Sequence, residues 1–330
     1  MSPKDDGNQS VFHSEPHTSG VDTGRKRTPP KNLPDAMVKA LRPKQWVKNV
    51  LVFAAPAAAG ADSLFHQSVI LDVLLAFAVF CMAASSIYLI NDAKDVAEDQ
   101  QHPTKRFRPI ASGMLPIQLA YVMAAVLIVG SVGLSFLATA GTELAIVMGV
   151  YIVLQLGYCF GWKHMPVIDI ALVSSGFMLR CMAGGVAAGI TLSQWFLLVA
   201  AFGSLFMASG KRYAEILLAE RTGAKIRKSL AGYTPTYLRF VWTLAATALV
   251  MSYSLWGFTL AQTVQGTASI WYQVSMVPFT IAVLRYAADV DRGNGGAPDE
   301  IALEDRVLQI LALLWLACIA VAAYVIPAFF

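Results

Sequence analysis

Asn91-Asp92-Ala93-Lys94-Asp95-Val96-Ala97-Glu98-Asp99 closes a long apolar run and leads into the basic tract His102-Pro103-Thr104-Lys105-Arg106-Phe107-Arg108. Carboxylates seldom gather where a helix leaves a membrane unless they hold a cation, because an unpaired charge beside hydrocarbon is costly. If the segment stays helical, Asp92, Asp95 and Asp99 stand at i, i+3 and i+7 on one face, with Asn91 one turn before Asp95. Such a face can hold Mg2+, which takes one or two carboxylates, several waters and the oxygens of a substrate diphosphate. Lys105, Arg106 and Arg108 suit the phosphate charge that remains. The plainer reading, a solvated acidic helix end, leaves unexplained why apolar sequence runs straight into Asn-Asp.

Outward from this stretch the chain is apolar. Hydrophobic residues make up 56% of its 330 positions and charged ones 14%, which excludes an ordinary soluble composition. An all-α polytopic membrane protein is expected. Apolar runs of about 20 residues, the length that crosses a bilayer, lie near 68–90, 116–139, 143–162, 166–190, 194–210, 236–263, 270–288 and 307–329. A shorter run from Trp46 to Ala61 brings the expected count to nine transmembrane helices. Residues 1–35 are polar and lack the apolar core of a secretory signal, so they read as a disordered cytosolic tail, leaving 36–330 as one transmembrane domain. Cys81, Cys159, Cys181 and Cys318 sit in apolar segments at no metal-like spacing and read as buried thiols.

The basic residues give an orientation. They fall before and at the start of the first run, in 92–115, at Lys163, in 211–228 and in 285–306, leaving only Arg180 and Arg239 elsewhere. The alternate connections near 62–67, 140–142, 190–193 and 264–269 contain none. By the positive-inside rule the N-terminus and the basic loops are cytosolic and the C-terminus is outside. Apart from Asp62, Asp72 and Glu143, the carboxylates follow the cations to the same side. Metal ligands and phosphate-binding cations are therefore expected on one surface.

Other constellations lie on that surface. Lys211 and Glu215, in Ser209-Gly210-Lys211-Arg212-Tyr213-Ala214-Glu215, are four apart and share a helical face, as an ion pair or as part of a site. The short turn from Tyr158 through Lys163 and His164 to Asp169 brings a phenol, an ammonium and a carboxylate between two neighbouring helices. Arg180, well inside its run, needs a partner or a wet cavity: an anionic substrate group, Asp169 or helix carbonyls. Arg42-Pro43-Lys44-Gln45-Trp46-Val47-Lys48-Asn49 either holds phosphate through Lys48 and Asn49 or anchors the chain at the interface. The Gly-rich, acidic segment 289–300 reads as a turn covering the cytosolic mouth, since it lacks the Gly-Lys-Ser/Thr of a phosphate loop. Nothing points to nucleic acid, and oligomeric state stays open, a homo-oligomer included.

The pattern Asn-Asp-x-x-Asp-x-x-x-Asp at 91–99 resembles the first signature of the UbiA superfamily of intramembrane prenyltransferases. Members carry a second acidic motif, Asp-x-x-x-Asp, at the cytosolic end of the sixth span, where this chain has Lys211-x-x-x-Glu215. An ammonium in place of a carboxylate removes a metal ligand and supplies a phosphate contact, which implies a substrate with a phosphate besides its diphosphate. That departure, with the segments 42–49, 102–113, 163–169, 177–180 and 210–215, is similar to one branch found in mycobacteria and corynebacteria. The branch transfers 5-phosphoribose from 5-phosphoribosyl 1-diphosphate to decaprenyl phosphate. The similarity runs from about Leu41 to the C-terminus.

The resemblance implies a UbiA-like bundle around a central cavity open to the cytosol, in a bacterial plasma membrane. It implies Mg2+ on Asn91, Asp92, Asp95 and Asp99, with these aspartates catalytic, and Lys105, Arg106 and Arg108 neutralising the leaving diphosphate. Lys211 and Arg212 are expected at the donor 5-phosphate, and Lys48, Lys163 and Arg180 at either phosphate. Asn49, Tyr158 and Glu215 complete the expected substrate-binding set. The product would feed decaprenyl-phosphoryl-arabinose and cell-wall arabinan. Two other readings compete: a Mg2+-dependent aromatic prenyltransferase of quinone synthesis, which a carboxylate at 211 would have favoured, and a transporter. Against the transporter, the carboxylates cluster at one face instead of the midplane, and no inverted repeat is visible.

Overall fold

The computed structural model describes residues 29–60, 66–102, 104–222, 230, 232–264, 266–292 and 305–325. All regular structure among them is helical. The chain opens with α1 (Leu33–Ala40), a 3-10 segment Pro43–Phe53 and α2 (Ala54–Ala58), followed by α3 (Gln67–Lys94) and α4 (Val96–Gln101). Next come α5 (Ile117–Ser135), α6 (Gly141–Cys159), α7 (Ile168–Ala187), α8 (Gln194–Thr222) and α9 (Pro235–Thr263). Helices α10 (Ala268–Val274), α11 (Met276–Asp291) and α12 (Arg306–Ala320), with a π turn Val321–Val325, complete it. Helix α1 starts inside the stretch expected to be tail, at a site the sequence specifies: the Asn32 side chain caps Asp35 N–H and Pro34 occupies the first turn. The rest of that expected tail, up to residue 28, lies outside the described residues.

Among the described residues six helices are long and apolar enough to cross a membrane: α3, α5, α6, α7, α9 and α12 extended to Ala323. The remaining three expected spans take other forms. Helix α8 has 29 residues but turns polar beyond Gly210. The run 270–288 breaks at Ser275 into α10 and α11, and the run 46–61 is mostly 3-10. A 3-10 helix rises about 2.0 Å per residue against 1.5 Å in an α-helix. The short segment from Pro43 to Ala58 thereby reaches about 30 Å, close to the hydrocarbon thickness.

Helix α3 is the axis of the first half. It is apolar on all sides, and its small residues Ala76, Ala83, Ala84, Ser85 and Ser86 are buried, allowing α5, α6, α7 and the 3-10 segment to approach closely. Gly184 on α7 permits the tightest of these approaches, since a Cβ there would strike the Val52 carbonyl of the 3-10 segment. Peripheral α5 shows the opposite pattern, exposing Val122, Val126 and Val129 as a lipid-facing helix should. A second core gathers Phe206, Tyr213, Leu238, Trp242, Leu249, Tyr286 and Val290 from α8, α9 and α11, and α7 packs against α8 to join the halves.

One break matters for chemistry. Helix α3 ends at Lys94 and α4 begins at Val96, with Asp95 between them at φ −91°, ψ 15°. The unbroken helical face expected for Asp92, Asp95 and Asp99 is therefore not formed.

Candidate active site

The end of α3 and the short α4 place Asp92 and Asp99, respectively, in the protein interior and leave Asp95 at the kink between them. Arg42 Nη2 donates to both Asp92 oxygens, at 2.6 and 2.7 Å. Arg108 Nη1 bridges the two buried acids, 3.0 Å from Asp92 Oδ1 and 2.6 Å from Asp99 Oδ2. Lys105 lies 4.0 Å from Asp99 Oδ1. Lys163 binds both oxygens of Asp95, at 3.2 and 3.1 Å, so the turn after α6 closes over the kink. Lys94 above the Phe160 ring, at 4.5 Å, and Trp162 packed across Gly157 fix that turn from either side. Asn91 is half-buried and its carbonyl closes the last turn of α3 on Asp95 N–H.

Does this donor set fit Mg2+? Asp92 and Asp99 converge on one point, the position of Arg108 Nη1, and two convergent carboxylates are what Mg2+ takes alongside water and phosphate oxygens. The pair fits. A set of three does not: among the described residues no three His, Cys, Asp or Glu side chains converge, because the kink sends Asp95 to Lys163. The expected group Asn91, Asp92, Asp95 and Asp99 is not gathered around one point in this arrangement, in which Lys163 holds Asp95.

The second motif divides differently from expectation. Glu215 pairs with Arg212 at 3.3 Å, one turn away, and not with Lys211. Arg212 also lies 3.3 Å from Asp169 Oδ2, within ion-pair range but off the hydrogen-bond axis, and it contacts the Tyr158 hydroxyl. The Tyr233 hydroxyl donates to Asp169 Oδ1 and accepts from the Val167 N–H. Val167 is β-branched yet sits at φ 71°, a costly conformation that Tyr233 holds. Burial and the Asp169 carboxylate push the Tyr233 phenol well above its ordinary pKa. Arg212, expected at a substrate phosphate, is thus committed to a protein network, whereas Lys211 is half-buried with no ion pair or hydrogen bond among the described residues.

Arg180 is buried in the bundle and does not meet Asp169. Its Nε donates to Asn49 Oδ1 at 2.7 Å, Nη1 to the Gly176 carbonyl at 2.6 Å and Nη2 to the Tyr151 hydroxyl at 3.0 Å, against the faces of Phe80, Tyr151 and Phe177. The Asn49 amide in turn donates to Cys81 Sγ. Every described partner of Arg180 is neutral, so its charge is uncompensated. Lys48 is half-buried beside Asn49, whereas Arg106 is exposed and lies over the Phe107 ring. The segment expected to cover the mouth falls outside the described residues from 293 onward.

Sequence reasoning missed Arg42, Asp169 as the partner of Arg212, Tyr151 and Tyr233. Arg42 had a signal, since it heads the basic segment in which Lys48 and Asn49 were singled out. Tyr151 and Tyr233 carry none, because a lone tyrosine on an apolar helix or in a turn looks like packing.

Comparison with known proteins agrees with this architecture. Residues 50–306 match the UbiA prenyltransferase family. The chain is 73% identical over 321 residues to decaprenyl-phosphate phosphoribosyltransferase of Corynebacterium glutamicum, covering 97% of this chain and 96% of that one. It is 57% identical over 296 residues to the protein of the same name in Mycobacterium tuberculosis, covering 89% and 96%. Its fold is similar to that of a UbiA homolog from Archaeoglobus fulgidus bound to DMAPP and Mg2+, with TM-score 0.64, 15% identity and coverage of 88% of this chain and 99% of that one. The chain belongs to the UbiA prenyltransferase family.

Proposed function

We propose that this protein transfers 5-phosphoribose from 5-phosphoribosyl 1-diphosphate to decaprenyl phosphate and releases diphosphate. Identity of 73% across 97% of the chain to a protein of that name supports the reaction, and one structural observation supports the donor. At the second motif Arg212 is consumed by Asp169 and Glu215, while the adjacent Lys211 is left available for a further phosphate.

Mg2+ held by Asp92 and Asp99 would neutralise charge on the departing diphosphate. Arg108, Lys105 and Lys163 bind its oxygens, each able to exchange an aspartate for a phosphate without leaving the site. Lys211 takes the 5-phosphate and so orients the ribose. The C1–oxygen bond to diphosphate breaks as a phosphate oxygen of the lipid attacks the opposite face, giving inversion at C1. The acceptor is already an anion at neutral pH, so no strong general base is required, and positioning and electrostatics carry the rate. Arg180, uncompensated within the bundle, supplies positive potential that favours an anionic acceptor.

We read the topology as nine passages, adding α8, the broken pair α10–α11 and the 3-10 segment with α2 to the six long helices. The N-terminus and the acidic motif face the cytosol, from which a soluble donor arrives. Purified protein given Mg2+ and decaprenyl phosphate should move label from ribose-labelled donor into the organic phase. Label that stays aqueous, with labelled prenyl diphosphate consumed instead on an aromatic acceptor, would replace this reading by the quinone-type one.

A further inference from the structure

Arg42 differs from the other cations at the acidic motif. It lies 50 residues before its partner in sequence, on the link between α1 and the 3-10 segment. Its backbone is left-handed, φ 54° and ψ 57°, although it carries a side chain and precedes Pro43. Both features disfavour that conformation, and such strain persists only where the surroundings over-determine it. The surroundings here are the Asp92 carboxylate, reached at 2.6 and 2.7 Å, and the Tyr88 ring, 4.8 Å beneath the guanidinium.

The carboxylates of the motif are already more than neutralised. Asp92, Asp95 and Asp99 face Arg42, Lys105, Arg108 and Lys163, one cation more than there are carboxylates. A bare divalent ion approaching Asp92 meets no net negative potential. To bind, it would have to move Arg108 from the point where Asp92 and Asp99 converge and free Asp92 from Arg42, leaving guanidinium groups with no anion to receive them beside a buried acid. A metal that arrives with diphosphate brings the missing anion.

Resting on the donor reading above, we propose that Arg42 is a resident counter-ion of Asp92 that keeps free metal out. It passes to a donor phosphate oxygen when metal and diphosphate enter together. Metal affinity is therefore conditional on the donor. The fraction of time Asp92 is free of Arg42 scales the apparent affinity for metal alone.

The test is Mn2+ binding to the purified full chain in detergent, read from the electron paramagnetic resonance signal of free Mn2+ against a protein-free control holding the same diphosphate, so that only protein-bound metal is counted. Wild type should bind Mn2+ alone at least about tenfold more weakly than with 5-phosphoribosyl 1-diphosphate present. Arg42→Gln should bind Mn2+ alone about tenfold more tightly than wild type and lose most of the gain from donor, while Arg42→Lys keeps the charge and stays near wild type. Equal Mn2+ affinity of wild type with and without any diphosphate overturns the proposal, and that comparison needs no variant to fold. So does an Arg42→Gln protein with native elution and wild-type metal affinity. Inorganic diphosphate, run in parallel, separates the two readings: coupling to it but not to the ribosyl donor rejects the donor assignment and supports the counter-ion role.

Discussion

The two charged regions of this protein are built from similar residues and behave oppositely. Around the α3–α4 junction Asp92 and Asp99 are buried, but their cations come from several segments and range from Arg108, 15% accessible, to Arg42 and Lys105, 27% and 36%. Between α7 and α8 the cation itself is buried. Arg212 is 11% accessible, Asp169 1%, and a tyrosine from the loop before α9 locks the acid to the strained turn at Val167. The first region can exchange partners when phosphate arrives. The second is a clamp joining the two cores, and in the proposed reading its neighbour Lys211, without a side-chain ion pair among the described residues, serves the substrate.

Substitutions can break that contrast. The largest effect on turnover is expected for Asp92→Asn, which removes the shared counter-charge of Arg42 and Arg108 and one of two convergent metal ligands. Transfer activity should fall by about 100-fold or more, and the variant should still fold in detergent, with a melting temperature lowered by the loss of its pairs to Arg42 and Arg108. Arg212→Ala should act mainly on stability, abolishing a buried pair for about 3–5 kcal/mol of stability and lowering the melting temperature, read by intrinsic fluorescence. Next, Lys211→Ala should raise KM for 5-phosphoribosyl 1-diphosphate by about 10- to 100-fold, the worth of a hydrogen bond to a charged group. KM for decaprenyl phosphate should not change, and an equal rise in both would erase the distinction between Lys211 and Arg212. Tyr233→Phe, losing the hydroxyl between Val167 and Asp169, should cost about 1–3 kcal/mol in stability with KM unaltered.

The smallest effect lies outside both regions. Asp305 caps α12, and its bond to Arg285 holds its pKa down at about 2, below the ordinary carboxylate value. A depressed folded pKa contributes stability above the unfolded value and loses it as pH falls through the folded one. That contribution should therefore be complete above about pH 4 and fade toward pH 2. A two-point melt of wild type against Asp305→Asn reads it as a difference that closes on acidification.

Much of the fold was legible because lipid demands it: runs of apolar residues had to be helices, and among the described residues seven of the nine each form one long α-helix. The exceptions have physical reasons. Nothing in Asn-Asp-Ala-Lys-Asp-Val-Ala-Glu-Asp forbids a continuous helix, so the kink at Asp95 was invisible until Lys163, 68 residues later, was found holding it. The 3-10 form of Pro43–Phe53 likewise depends on its fit against α3 and α7. At the site, the chemistry of the acidic motif could be read from residue types, but partner choice could not. Lys211 and Arg212 are neighbours in sequence and about 100° apart around a helix, which sends one into an acid clamp and leaves the other open. Arg42 was hidden by distance along the chain, although it stood in a segment already marked as basic.

In the proposed reaction the buried acids Asp92 and Asp99 serve transfer of phosphoribose to a lipid phosphate. That role is tested most directly by incubating purified wild type and Asp92→Asn with ribose-labelled 5-phosphoribosyl 1-diphosphate, decaprenyl phosphate and Mg2+. Wild type should give a lipid-soluble labelled product that vanishes when either Mg2+ or decaprenyl phosphate is omitted, and the variant almost none. Equal product from both proteins, or none from wild type, would contradict it.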